Sequence, residues 1–477
     1  MSYLDIQYVN NKQLQIFSDL LDILRETYSV SSGGVRIAGK FRPNRSYAIT
    51  PTGLISTGFA VDIIRHVTAN YRNCKITIDP KAMQAIKPAV SLDRQVTNFQ
   101  LRDYQEAAFQ QCIKRGRGIV LHPTSAGKTP IIAALALHYS ALSKPNKPVL
   151  VIVPDPGLAL QMFNDLDRFG VESLAIWHRE TDIVDFSPYK VIIVSHKLLW
   201  VRKQDAIKMF GDSCVVLIDE CHMLNKGNLI NKFVDKLTTQ IRFGFTGTMP
   251  DTVESQWNVI GKIGPIIAEE KSYVLSERGY IAGVKAFCCV LNYQGSPPAT
   301  QGSVLQQYAN DIKWLSAHKY RTETVSKLAA ATTKNTLILV DRLASGLLIQ
   351  ERLQQICGKQ VFFVSGEMEI EVREQVKKIM ESNNDVVCIA MMKIFRQGIS
   401  INNIHYVILA ALGRGRSRFI QAIGRGRRLH TDKFYMILFD IIDNVGYCMQ
   451  HGHDRIAVYQ QELIQVKVFN YYENGNP

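Results

Sequence analysis

From about residue 100 the chain alternates short, wholly apolar runs rich in β-branched residues with longer stretches of helical periodicity. The first series is GIVL at 118–121, VLVIVP at 149–154, VIIVS at 191–195, VVLID at 215–219 and FGFTGT at 243–248. A second series comprises TLILVD at 336–341, QVFFVS at 360–365, VVCIA at 386–390, YVILAA at 406–411 and YMILFD at 435–440. Runs apolar at every position suit strands buried on both faces, so each series predicts a parallel sheet covered by helices, and the fold class is α/β with two lobes in tandem. Their boundary is expected where Gly, Pro and Ser break the rhythm, between SERGYIAGV at 276–284 and NYQGSPPATQGS at 292–303. Residues 1–95 read as a small N-terminal α+β domain, with an amphipathic helix over KQLQIFSDLLDILRETY at 12–28 and a short strand KITIDP at 75–80. The expected division is therefore 1–95, 96–285 and 286–477.

Length changes the picture little, since 477 residues at 46% hydrophobic and 21% charged simply support more than one soluble core. Charge changes it more: 56 Lys and Arg against 42 Asp and Glu, a net +14, favour a polyanionic partner such as nucleic acid. The nine cysteines contain no C-x-x-C pair, MSYLDIQYVN has no signal-peptide character, and no run reaches the ~18 apolar residues of a membrane span. A cytoplasmic protein is expected. HGHD at 451–454 has no further ligand set at zinc spacing and reads as surface histidines.

LHPTSAGKTP at 121–130 stands between a strand and a helix, the context a phosphate-binding loop requires, although His122 occupies the first glycine position of G-x-x-x-x-G-K-[ST]. Backbone N–H groups of Ser125, Ala126, Gly127, Lys128 and Thr129 are expected to cradle a β-phosphate. Lys128 then reaches the β- and γ-phosphates of ATP, and the Thr129 hydroxyl binds Mg²⁺. VVLIDECH supplies two carboxylates at a strand end, where Asp219 holds the Mg²⁺ shell and Glu220 orients or deprotonates the attacking water. In RFIQAIGRGRRLH at 418–430 a helix at 100° per residue gathers Gln421, Arg425 and Arg428 within about 60°, with Arg427 off that face. Arg425 and Arg428 are the candidate γ-phosphate fingers. In VPDPGLALQ at 153–161, Asp155 is a candidate N-cap and Pro156 opens the helix.

In order, these segments resemble the superfamily 2 helicases and translocases: PTSAGKT as motif I, VIVPDPGLALQ as Ia, VIIVSHKLL as Ib, DECH as II, TGT at 246–248 as III, MMKIFRQGISI at 391–401 as V and QAIGRGRR as VI. RDYQ at 102–105 resembles the adenine-contacting element, with Gln105 its key residue. The resemblance implies two RecA-like lobes, with Thr124 in the ATP-binding loop. It also implies that Pro154, Ser195, Thr246, Thr248, Gln397 and Gly398 line a nucleic-acid groove or couple it to ATP. FFVSGEMEIEVRE at 362–374, IFRQGISINNIHYVILA at 394–410 and HGHDRIAVY at 451–459 are similar to the phage UvsW-type branched-DNA helicases, and GKFRPNRSYAITPTGLISTGFAVDIIRHV at 39–67 more loosely so. This likeness implies an ATP- and Mg²⁺-dependent helicase remodelling forked or junction DNA in recombination, repair or replication restart, in the cytoplasm of a phage-infected bacterium; the sequence does not fix the oligomeric state, a monomer being favoured. Alternatives are an RNA helicase, a restriction-type DNA translocase motor, or a noncatalytic ATP-switched clamp. Phe395, Phe419 and Trp314 could stack bases, core packing being their ordinary fate. Lys40, Arg42 and Arg45 beside Phe41 suggest an accessory DNA surface on a leading domain separable from the motor.

Overall fold

The structure, a computed structural model, describes residues 2–37, 40–88, 99–144, 147–177, 186–224, 228–299, 303–366, 368, 370–392, 401–412, 419, 423–430 and 432–475, without the side chains of 32–44, 200, 203 and 370. The chain divides into two compact units, residues 1–122 with 127–270, and residues 271–477 with the short segment 123–126. The division falls ahead of the expected 285/286. Ser272–Glu277 is already a helix of the second unit, and the strand Gly283–Asn292 lies inside its sheet, next to the edge strand, so the Gly- and Pro-rich stretch after it is a connection inside the unit.

The N-terminal part of the first unit holds β1 (Tyr3–Asn10), β2 (Gln13–Ser18), β3 (Ser29–Ile37), β4 (Lys40–Tyr47), β5 (Leu54–Ser56) and β6 (Lys75–Ile78). Four of them form a sheet in the order β5-β2-β1-β6, and β3 pairs with β4 as a separate hairpin. The helix expected over 12–28 is in fact β2 followed by a shorter helix, Leu21–Thr27. QLQIF alternates with period two, burying Leu14 and Ile16 at 0% exposure, and that alternation overrides the helical reading of the longer window.

This domain shares its core with the adjoining lobe rather than standing apart. Trp257 and Ile260, from the helix Val253–Ile263, pack against the cluster of Leu4, Ile16, Phe59 and Ile63, with the Trp257 and Phe59 rings 6.2 Å apart. Gly58 is pressed so close that a Cβ there would stand 2.0 Å from the Ile260 carbonyl oxygen. Arg117 is buried and donates to the carbonyls of Ala85, Ile263 and Lys262 at 2.8, 2.9 and 3.2 Å, tying the two parts together.

The first lobe's strands are β7 (Arg117–Leu121), β8 (Val149–Val153), β9 (Leu174–Trp177), β10 (Val191–Ser195), β11 (Val215–Asp219), β12 (Arg242–Thr246) and β13 (Ile266–Glu269), in the order β13-β7-β12-β11-β8-β10-β9 with every pairing parallel. The second lobe has β14 (Gly283–Asn292), β15 (Thr336–Val340), β16 (Gln360–Val364), β17 (Val386–Met391), β18 (Tyr406–Leu409), β19 (Tyr435–Asp443) and β20 (Gln465–Tyr472), in the order β16-β17-β15-β18-β19-β14-β20, again all parallel. Its sheet is braced by two buried ion pairs. Asp443 of β19 accepts from Arg321 at 3.0 Å, and Asp440 accepts from Arg455 and from the Tyr459 hydroxyl, each at 2.9 Å, on the helix Gly446–Gln461. The nine cysteines are all free. Among the described residues no helix is long and apolar enough to cross a membrane.

Candidate nucleotide site and its neighbours

β7 ends at Leu121 and the helix Lys128–Leu142 begins seven residues later, so the intervening loop must reverse within a few residues. Two of them take the left-handed backbone that makes this possible, Ser125 at φ 69° and Gly127 at φ 74°. The glycine is required on a second count, because a Cβ at 127 would lie 2.4 Å from the Gln105 amide nitrogen. Gln105 donates through that nitrogen to the Gly127 carbonyl at 3.1 Å, while its oxygen accepts from the Arg102 N–H at 3.0 Å. The expected adenine contact is thus also a brace for the loop. Ala126 is fully buried, and Thr124 and Thr129 are partly exposed. The segment 123–126 sorts with the second unit, where Ser125 Oγ donates to the Gly424 carbonyl at 2.7 Å.

His122 does not project into the loop. It is 1% exposed, lies 5.6 Å from the Tyr104 ring, and burial, reinforced by the Lys128 charge, lowers its pKa to about 4. The imidazole is therefore neutral at physiological pH and adds no charge beside Lys128, whose Nζ donates to the His122 carbonyl at 3.2 Å. A residue that departs from the glycine pattern is accommodated by pointing inward.

At the end of β11, Asp219 accepts from the Glu220 N–H at 3.0 Å, and its carboxyl is pushed up to about 6, first by burial and then by the Glu220 charge, with Lys128 opposing. Glu220 itself sits at φ 49°, a left-handed non-glycine conformation that turns its carboxylate toward His222. His222 Nδ1 lies 3.2 Å from Glu220 Oε2 and 3.0 Å from Thr246 Oγ1. Since the Thr246 hydroxyl donates to the Thr248 carbonyl at 2.9 Å, it is the acceptor toward His222, which fixes the proton on Nδ1. Thr246 Oγ1 also accepts from the Thr248 N–H at 3.3 Å. A chain of polar contacts thus runs from Glu220, close to but not hydrogen-bonded with His222, through the His222–Thr246 hydrogen bond to the turn after β12. The motif pattern alone gives His222 no role, because that role depends on a contact 24 residues downstream; its place directly after D-E-C is the available signal.

Asp155 caps the helix Pro156–Arg168 as expected, accepting from the Leu158 N–H at 3.1 Å with Pro156 at the first position. Pro154 is partly exposed at the end of β8. Ser195 is buried at the end of β10 and precedes the helix His196–Val201. Asp219, Pro154, Ser195 and Thr246 all close parallel strands of one sheet, so they share its C-terminal edge with the phosphate loop after β7, the edge at which open α/β sheets bind ligands.

In the second unit Gln397, Gly398 and Gln421 lie outside the described residues, as does Phe395. The helix carrying Arg425 ends at Gly426, so Arg428 lies past its last turn and the shared helical face does not extend that far. Arg428 Nη1 lies 3.4 Å from Asn402 Oδ1. Arg427 explains the break: it is buried at 6% exposure and donates to the carbonyls of Ala282 and Ser272, each at 3.0 Å, an anchorage that turns the chain off the helix. Phe419 is core, 5% exposed with the Arg455 guanidinium 5.2 Å over its ring, and Trp314 packs against His318 and Tyr293. Arg45 is paired with Glu26 at 2.5 Å, so it is not an uncommitted phosphate contact, and the side chains of Lys40, Phe41 and Arg42 lie outside the described ones.

The family model described as Type III restriction enzyme, res subunit, matches residues 98–251, and that described as Helicase conserved C-terminal domain matches residues 320–430. The chain is 27% identical over 392 residues to the ATP-dependent DNA helicase uvsW of Enterobacteria phage T4, covering 77% of this chain and 75% of that one. It is 21% identical over 410 residues to the putative helicase 22 of a Sulfolobus islandicus filamentous virus, covering 81% and 72%. Among solved structures, the ATP-dependent Type ISP restriction-modification enzyme LlaBIII bound to DNA has the same fold over 86% of this chain and 34% of its own, at a TM-score of 0.59 and 11% identity. With each lobe matched in turn and motifs I, II and III gathered at one edge of a single parallel sheet, the chain belongs to the superfamily 2 helicases and is close to the UvsW type.

Proposed function

We propose that this protein is an ATP-dependent DNA helicase or translocase that remodels branched DNA, forks and four-way junctions, in a phage-infected bacterial cytoplasm. The observation that carries the reading is the chain of polar contacts from Glu220, 3.2 Å from His222, through the His222–Thr246 and Thr246–Thr248 hydrogen bonds, which joins a candidate hydrolytic carboxylate to a turn of the candidate nucleic-acid groove. A nucleotide hydrolase without a motor role has no need of that link.

In this reading Lys128 compensates the charge of the β- and γ-phosphates, and Glu220 orients and deprotonates the attacking water. The Thr129 hydroxyl and the Asp219 carboxylate are hard oxygen donors, the type Mg²⁺ selects, and Lys128 beside Asp219 favours the ionised carboxylate that binding needs. The ion when bound neutralises charge developing on the phosphoryl oxygens. Arg425 and Arg428 stabilise the transition state. Any displacement of Thr246 or Thr248 by nucleic acid is transmitted to His222, and so to the Glu220 carboxylate.

ATP hydrolysis measured with single strands, linear duplex, forks, four-way junctions and RNA of matched length tests this. Forks and junctions are expected to stimulate most. Equal stimulation by linear duplex moves the reading to a restriction-type translocase, which the match of residues 98–251 to the restriction-subunit model favours as the second candidate. RNA-specific stimulation makes the protein an RNA helicase, and binding of ATP without turnover makes it a clamp.

A further inference from the structure

Both sheets are expected to be covered on both faces, but part of one face of the second is open. Side chains at register-paired positions of parallel strands project to the same face, and on one face of β14 and β19 the residues Ala286, Cys288, Met436 and Leu438 are buried in the core. On the other, Phe287 pairs with Phe439 and with Lys467, while Tyr406 pairs with Ile437. Leu291, Ile408 and Ile441 close this face toward the C-terminal ends of the strands, packing with Val325 and Ile349 of two helices. Toward the N-terminal ends, among the described residues, the cover thins. There Tyr406, Phe439, Phe287 and Phe469 form a continuous row across four adjacent strands, with ring centroids 6.4, 5.7 and 6.0 Å apart and planes within 5°, 32° and 29° of parallel. The first three are half-buried and Phe469 is 44% exposed.

The charged side chains that the strands themselves present on the open part of this face are lysines. Lys285 stands two residues before Phe287 on the same strand face, its ammonium 4.4 Å over the Tyr435 ring, and Lys467 is the exposed register partner of Phe287. Among the described residues, no carboxylate side chain projects from these four strands onto the open part of the face. An uncovered apolar row is an unusual surface for a chain carrying +14, and it marks a site of association. Flat aromatic rings interleaved with lysines on an open sheet match the chemistry of unpaired bases joined by phosphates, since every base offers a face to stack and each phosphate a charge to neutralise.

We propose that this open half-face is a second nucleic-acid site, taking a single strand whose bases stack on Phe287 and Phe469 and whose phosphates lie against Lys285 and Lys467. It lies toward the N-terminal ends of these strands, away from the C-terminal end of β17. The strand it holds is one already separated from its complement.

The test uses the full-length protein without nucleotide and fluorescence anisotropy with labelled single-stranded DNA, single-stranded RNA and blunt duplex. Phe469→Ala, at an exposed position, is expected to weaken single-strand binding about tenfold, the scale of one lost base stack, while Phe469→Trp retains it. Lys467→Ala is expected to lower the slope of log affinity against log salt by about one. Duplex affinity and basal ATP hydrolysis stay unchanged in all three. Crosslinking to 5-iodouracil-substituted strands is expected at peptides containing Phe287 or Phe469. Single-strand affinity and salt slope unaltered in Phe469→Ala and Lys467→Ala would overturn the proposal. So would an equal loss on blunt duplex, which points to general electrostatics, or a change in sedimentation behaviour, which marks the face as a protein interface. Preference between the DNA and RNA arms identifies which strand is held.

Discussion

Replacing Gly58 with alanine tests whether the leading domain and the first lobe form one body. The added Cβ would stand 2.0 Å from the Ile260 carbonyl oxygen, 2.9 Å from that of Gly261 and 3.0 Å from the Gly264 nitrogen. An ordinary carbon–oxygen approach is about 3.3 Å, so the two backbones must separate by roughly 1 Å. No side-chain rotation relieves this, because all three neighbours are main-chain atoms. Overpacking of this kind costs about 1–3 kcal/mol, and the separation also loosens the Trp257–Phe59 contact and the Arg117 bond to Ala85, placing the total near ~3 kcal/mol. For a body of this size that is roughly 6–12 °C in Tm. Urea unfolding followed by tryptophan fluorescence, with hydrogen exchange across 253–263, measures it. Gly261→Ala supplies the control, since its Cβ would meet the Ser56 side chain at 2.7 Å, and Ser56→Gly should restore most of what it loses. A Gly58→Ala protein within ~0.5 kcal/mol of the parent, or no rescue by Ser56→Gly, refutes the shared body. The same packing means that truncation near Asn98 strips cover from Trp257 and an acceptor from Arg117, so motor and leading domain do not come apart without cost.

Lys128→Ala should abolish ATP turnover, and Glu220→Gln should bind ATP without hydrolysing it; near-normal turnover by Glu220→Gln at saturating ATP rejects its assignment. Arg425→Ala and Arg428→Ala should each lower turnover by orders of magnitude with little change in nucleotide affinity. Arg427→Ala should instead lower the unfolding free energy by about 2–4 kcal/mol through its orphaned Ala282 and Ser272 carbonyls, seen in a denaturant melt. His222→Ala should leave basal hydrolysis largely intact while abolishing its stimulation by DNA, and equal losses in both rates count against the relay. His122 is neutral when folded, with a pKa of about 4 against ~6.5 unfolded, so its contribution is complete above pH 6.5 and declines as pH falls toward 4, by at most ~3 kcal/mol. Stability measured across that window should fall less steeply in His122→Gln.

The motor strands are legible because β7, β8, β10, β11 and β12 are buried on both faces, which forces an uninterrupted apolar run. β14 and β20 escape notice for the converse reason: Lys285, Phe287 and Lys467 face an open half-surface, so their strands read as mixed sequence. β2 passes for helix because a period of two over six residues is easily absorbed into a longer window that also fits 3.6. The phosphate loop and the Asp219–Glu220 pair can be found from residue order, since their chemistry fixes their spacing. The inward turn of His122, the reach of His222 to Thr246 and the anchorage of Arg427 cannot, because each depends on an atom contributed by a distant strand or helix.

The order of strands in the second sheet also bears on how the chain is made. β14 is synthesised first of its seven, yet its neighbours are β19 and β20, and Lys285 finds Gln465 only 180 residues later. At ribosomal speeds of about 5–20 residues per second, the interval is roughly 9–36 s. Throughout it the nascent chain carries a ten-residue strand, GVKAFCCVLN, with both hydrogen-bonding edges unclaimed and two adjacent thiols within it. Such a segment is a template for pairing with another nascent chain. Production of this protein is therefore set less by the stability of its finished lobes than by the protection of β14 until residue 472 has left the ribosome, which makes slow cooling, reducing conditions and holdase chaperones the natural levers for obtaining it intact.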